Sequence, residues 1–211
     1  MSPEDSGILA QVCATYASFA SYQDQGVVSL FFPDGTAPLR RTFQTAFVRP
    51  DLFRFQFFTP HPYEDLRHIV TEEVIGSDGN KVYYYTKRNG KSPHLELGND
   101  LQEEISRANG VSSGAIHNIA RLLFPSRGGV SLNDIKVKAI EEDTVEEVPC
   151  LTIKGEEPCA WEVAITIEKS SLLLRKLVLC HSGRTTEEVR SQIRVNEIVN
   201  SSVFRPPGKR R

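Results

Sequence analysis

The chain has 211 residues, 39% of them hydrophobic and 25% charged, with a formal net charge of -2. That composition is globular, with length enough to bury a substantial core. The near-neutral balance excludes a general nucleic-acid binder, which needs a concentrated basic surface, so Lys209-Arg210-Arg211 reads as a solvated tail. No apolar run is long enough to span a bilayer, and the first residues lack the basic-then-apolar pattern of an export signal. One domain over residues 1–211 is expected, because all-β folds routinely reach this length undivided.

Ser2-Pro3-Glu4-Asp5 reads as a helix start, with a hydroxyl cap, proline at the first helical position and acids in the first turn. Ile8, Leu9, Val12, Cys13, Tyr16 and Phe19 follow at helical spacing, which predicts one apolar stripe and an end just before Gly26. From there the period changes to two. Residues 27–32, the turn Pro33-Asp34-Gly35 and residues 39–48 predict a hairpin whose second strand carries Phe43, Thr45 and Phe47 on one face.

Arg49-Pro50-Asp51 then opens a strand over residues 52–58. Phe53, Phe55 and Phe57 line one of its faces, and Arg54 and Gln56 the other. After a polar loop over residues 59–65, strands over 69–75 and 81–86 flank Ser77-Asp78-Gly79-Asn80, a strong hairpin turn. The first half is thus an antiparallel meander.

Residues 100–108 show helical spacing at Leu101 and Ile105. Residues 113–124 place Ile116, Ile119, Ala120, Leu122 and Leu123 on a broad apolar face that ends at Pro125. Strands resume over 135–140, 150–154, 160–168, 172–180 and 189–199. In 160–168, Trp161, Val163, Ile165 and Ile167 share one face and Glu162, Thr166 and Glu168 the other, a sheet with one wet side. Residues 172–179 are apolar on both faces, as in a strand covered twice.

Catalytic signatures are missing. There is no phosphate-binding glycine loop, nucleophile elbow, CxxC pair or HExxH. His61, His68, His94, His117 and His181 are scattered, so no catalytic residue, no metal and no cofactor is expected. Cys150 and Cys159 flank one turn, and either a disulfide in an exported protein or two independent thiols fits them; Cys13 and Cys180 are not assigned a pairing. The acid clusters Glu141-Glu142-Asp143 and Glu146-Glu147 fall in turns and read as solvated. The phenylalanine face needs an apolar partner. The partner is either the protein's own core or a greasy ligand under the mid-chain helices.

Four segments, in this order, carry a family resemblance: Phe43-Gln44-Thr45-Ala46-Phe47-Val48-Arg49-Pro50-Asp51-Leu52-Phe53-Arg54-Phe55, Ser77-Asp78-Gly79-Asn80-Lys81-Val82-Tyr83-Tyr84-Tyr85, Ala115-Ile116-His117-Asn118-Ile119-Ala120-Arg121-Leu122-Leu123, and Val203-Phe204-Arg205-Pro206-Pro207-Gly208. The chain resembles the LolA/LolB-like superfamily of periplasmic lipoprotein carriers and outer-membrane lipoprotein-sorting proteins. The resemblance implies an α+β, mainly antiparallel fold. Its form is an incomplete, half-open β-barrel wrapped around an N-terminal helix and mid-chain lid helices. It also implies a cavity for lipoprotein acyl chains and a periplasmic or outer-membrane-associated location, with a signal peptide upstream of the sequence given. Arg49 matches the arginine that latches the lid. Departures from the family pattern are the loop over residues 59–67, the helix over 100–108 and the cysteine-bearing hairpin.

The leading expectation is non-catalytic binding or transport of a lipoprotein acyl chain or other lipid by a monomer. The ligand would be held by Phe43, Phe47, Phe53, Phe55 and Phe57 under Ile116, Ile119, Leu122 and Leu123. The alternative is an envelope sensor or interaction module with a filled core and a protein partner. An enzyme built on His117 and a carboxylate ranks last, for want of a constellation.

Overall fold

The structure, a computed structural model, describes residues 7–61, 63–125, 131–158 and 161–207. Among them are three α-helices and eleven strands. In chain order these are α1 (Gly7–Ser18), β1 (Ser21–Phe31), β2 (Leu39–Val48), β3 (Leu52–Pro60), β4 (Val70–Asp78), β5 (Val82–Arg88), β6 (His94–Gly98), α2 (Leu101–Ala108) and α3 (Ala115–Leu123), followed by β7 (Lys136–Val145), β8 (Val148–Glu156), β9 (Glu162–Glu168), β10 (Leu174–His181) and β11 (Arg184–Val195).

The hydrogen-bonded order is β6-β5-β4-β3-β2-β1-β11-β10-β9-β8-β7. Successive pairs from β2 to β6 and from β7 to β11 are antiparallel. The end strands β6 and β7 are not paired with each other, so the sheet is unclosed. This is the α+β, mainly antiparallel, half-open arrangement that the resemblance implies.

The chain divides into two compact units, each discontinuous in sequence. The first comprises Met1–Ser18, Ser29–Pro38 and Ile119–Arg190, the second Phe19–Val28, Leu39–Asn118 and Ser191–Arg211. In the first unit α1 buries Leu9, Val12 and Tyr16, and the Tyr16 hydroxyl accepts the Leu174 amide at 3.0 Å. The helix start expected at Ser2-Pro3 lies outside the described residues. Val163, Ile165 and Ile167 of β9 are buried as expected, but the opposite face is only partly wet. There the hydroxyls of Thr166 and Thr152 meet at 2.8 Å, and Thr152 donates to Asp143 at 2.7 Å, which satisfies both inside a buried face. Glu188 and Arg190 on β11 form an ion pair with both side chains essentially without exposure. An ion pair that dry is costly to break from either side.

In the second unit α2 packs on β4, β5 and β6. Its buried Glu104 is held by Arg107 at 2.9 Å, and Arg107 reaches Glu96 of β6 at 3.2 Å. Gly98 provides the room, because a Cβ there would stand 2.7 Å from Glu104 Oε1. The β4–β5 turn forms as its sequence requires. Asp78 Oδ1 accepts the amides of Asn80 at 3.0 Å and Lys81 at 2.8 Å, and Gly79 takes φ +87°.

One expectation needs correction, one strand has no counterpart in the sequence reading, and one open alternative narrows. The first helix ends at Ser18, and β1 begins at Ser21, well before Gly26. Long-range bonds fix that start: Ser21 Oγ donates to the Glu197 carbonyl at 2.6 Å, the Asn196 amide donates to the Ser21 carbonyl at 3.0 Å, and Asn196 Oδ1 accepts the Ala20 amide at 2.8 Å. The edge strand β6 was not expected, because its five residues are mostly exposed and show no buried alternation. Third, Cys150 lies opposite Glu168, six residues (150 to 156) from the Glu156–Glu162 end of the hairpin. At roughly 3.3 Å per residue that is about 20 Å from the turn. Cys150 is a free, buried thiol whose pKa burial raises, and Cys159 lies outside the described residues.

One glycine ties this unit's sheet to the chain end. Gly76 and Tyr83 are cross-strand partners, and a Cβ on Gly76 would stand 2.3 Å from the Tyr83 hydroxyl. The phenol therefore lies across the bare backbone, and its hydroxyl donates to the Phe204 carbonyl at 3.0 Å. Gly76→Ala is expected to expel the ring and lower stability by about 1–3 kcal/mol in denaturant unfolding, with faster amide exchange over residues 201–207. Tyr83→Phe is expected to cost about 1 kcal/mol, the hydrogen bond alone.

Candidate functional site

The phenylalanine face belongs to the second unit and is built by β2 and β3. Their register sets Phe43 opposite Phe57, Thr45 opposite Phe55 and Phe47 opposite Phe53. The rings of Phe43 and Phe55 stack with centroids 5.4 Å apart, and Phe55 and Phe57 tilt at 6.0 Å. None of the five rings is more than 1% exposed. Contact with a ligand therefore requires this face to open. One polar atom sits within it: the Thr45 hydroxyl is buried and has no hydrogen-bond partner. An orphaned hydroxyl in an aromatic wall costs about 1–3 kcal/mol until something accepts its proton.

Arg49 lies at the end of this face, after β2. Its guanidinium stands 5.1 Å from the Phe47 ring centroid, a cation–π distance, and its Nε donates to the Phe19 carbonyl at 2.8 Å. Its amide donates to the Ala20 carbonyl at 2.9 Å, and the Arg49-Pro50 peptide is cis. The turn residue thus holds the segment that enters β1.

The residues expected to form the lid are on α3. Ile116 lies in the second unit and Ile119, Leu122 and Leu123 in the first, and all four are buried. Ala115, Asn118 and Ala120 are buried as well, so α3 is covered almost all round rather than along one stripe. In the first unit Arg121 pairs with Glu157 at 3.0 Å.

The reverse of the phenylalanine face is polar. Arg54 and Gln56 of β3 line an open groove of about 480 Å³ together with glutamines of β1, β2 and β11, Arg194, and the chain end at Ser202–Arg205. Arg54 Nη2 donates to Gln56 Oε1 at 3.0 Å, and Gln56 Nε2 donates to Glu72 Oε1 at 2.7 Å, which fixes the guanidinium in plane. The sequence pattern sets Arg54 and Gln56 on the face opposite the phenylalanines but carries no signal for their convergence with Arg194 and Arg205. Among the described residues no group of three or more His, Cys, Asp or Glu is placed to hold a metal ion.

No protein-family model matches the sequence, and no curated protein matches it. Solved structures do. LprF from Mycobacterium bovis is 15% identical over 98% of both chains, with a TM-score of 0.56. A conserved, uncharacterised protein from Thermus thermophilus is 11% identical over 96% of this chain and 93% of its own, with a TM-score of 0.54. The LolA superfamily protein NE2245 from Nitrosomonas europaea aligns at 12% identity over 95% of this chain and 96% of its own, with a TM-score of 0.41. At such identities the likeness speaks of fold alone. With its unclosed antiparallel sheet, its one helix before the strands and its two between them, the chain shares the fold of LprF and of the Thermus thermophilus protein.

Proposed function

We propose that this chain binds an acyl chain, of a lipoprotein or another lipid, in the cell envelope and without catalysis. The observation that carries the reading is the buried wall of Phe43, Phe47, Phe53, Phe55 and Phe57 with the orphaned Thr45 hydroxyl in its midst. Aromatic rings supply the apolar surface on which methylenes are worth about 0.8 kcal/mol each. The hydroxyl supplies a donor for the ester or amide carbonyl that heads an acyl chain. Once ordering costs are subtracted, a single chain becomes a ligand of micromolar order, suited to carriage and release. The resemblance assigns the lid to Ile116, Ile119, Leu122 and Leu123, and the latch to Arg49.

A second reading draws on the burial of the same rings. A wall at most 1% exposed also suits a filled core, with function carried by loops that meet an envelope protein. The readings part on uptake. A carrier is expected to retain lipid through purification, seen by native mass spectrometry and solvent extraction, or to take up a fluorescent fatty acid. A protein that emerges lipid-free and takes up none sinks the acyl-chain reading.

Thr45→Val removes the orphaned hydroxyl at nearly constant shape. It is expected to raise stability by about 1 kcal/mol in denaturant unfolding while weakening fatty-acid uptake several-fold. Unchanged uptake would remove the carbonyl-donor role. Arg49→Leu is expected to keep the far-ultraviolet circular dichroism of the parent and to alter the rates of fluorescent-lipid uptake and release; identical rates would count against a latch.

A further inference from the structure

We propose that the polar groove on the reverse of the phenylalanine face binds a phosphate-type oxyanion. The groove lies within the second unit, measures about 480 Å³, and has Arg54, Arg194 and Arg205 in its walls. None of the three forms an ion pair among the described residues, whereas Arg107, Arg121, Arg175 and Arg190 each hold a glutamate. Arg54 Nη1 makes a long contact to the Val203 carbonyl at 3.4 Å, and the guanidinium also lies beside the Tyr83 hydroxyl. A chain with a formal net charge of -2 thus keeps three unneutralised guanidinium groups around one concavity.

Two acids stand nearby, and neither forms an ion pair with Arg54, Arg194 or Arg205. Asp24 is the one carboxylate lining the groove, and it is buried and accepts the Tyr22 hydroxyl at 2.6 Å. Glu72 is occupied by the Gln56 amide at the groove's margin. The remaining polar lining consists of neutral donors and acceptors, five glutamines and Ser202 among them. Guanidinium forks backed by amide donors are the chemistry that selects phosphate oxygens, bidentate and charge-assisted. The volume leaves room for a phosphate ester rather than the bare ion alone. Side chains alternate along β3, so this ligand sits on the opposite side of the strand from Phe53, Phe55 and Phe57, with Thr45 of β2 at the border of the groove.

The source of the phosphate is distinguished by three probes: inorganic phosphate and glycerol phosphate by calorimetry, and phosphatidylglycerol vesicles against phosphatidylcholine vesicles by sedimentation. Saturable binding of at least one phosphate-bearing probe is expected. Arg194→Gln and Arg205→Gln, both at exposed positions, should each weaken it about tenfold, and salt should weaken it further. Arg67→Gln, exposed and outside the groove, should leave binding unchanged. Response to the soluble phosphates marks a free ester as the ligand; response to the anionic vesicles alone marks a lipid headgroup. No saturable binding of any probe overturns the proposal. So does binding that the groove variants leave intact, or that Arg67→Gln reduces as much.

Discussion

The two-sidedness of β3 is the constraint on which the rest depends. Its side chains alternate phenylalanine with arginine or glutamine, and its register against β2 sets Phe43, Thr45 and Phe47 opposite Phe57, Phe55 and Phe53. A slip by one residue would turn three phenylalanines to water and carry Arg54 and Gln56 into the apolar face. The energy difference between the two registers is therefore large, and pairing is strongly specified. A single strand thereby supplies both surfaces of interest, an aromatic wall and a basic groove.

A second tie acts at longer range. The phenol of Tyr83 lies across Gly76 and grips the Phe204 carbonyl, so the C-terminal turn is fastened to β5. That turn is further set by Asn200, whose side chain accepts the Ser202 amide at 2.9 Å, and by the buried Phe204 ring. Val203 and Arg205 consequently occupy fixed places in the groove wall. A glycine in β4 that leaves space for a tyrosine from β5 thus helps to set one wall of the basic groove.

What was legible in the sequence follows the range of the interactions involved. β2 falls on residues 39–48 as read, because alternation and the flanking turns are local signals. The Asp78-Gly79 turn was equally plain, its side-chain and backbone demands lying within four residues. The beginning of β1 was not, since Ser21 and Ala20 are held by Asn196 and Glu197 from the far end of the chain. The phenylalanine wall was visible as a pattern and Thr45 as its neighbour, but the missing partner of that hydroxyl emerges only in three dimensions. The alternation sets Arg54 on the face opposite the phenylalanines; its company of Arg194 and Arg205 depends on strand order rather than on any local motif.

The unclosed sheet leaves two strand edges with unsatisfied backbone groups, and their composition decides how the protein behaves in concentrated solution. β7 carries Lys136, Lys138, Glu141, Glu142 and Asp143 along its length, most of them exposed. β6 is five residues long, and its Glu96 is engaged by Arg107. Charge on one edge and brevity on the other are the features that discourage edge-to-edge pairing between copies. An open sheet is in this way kept from polymerising through the strands it leaves bare.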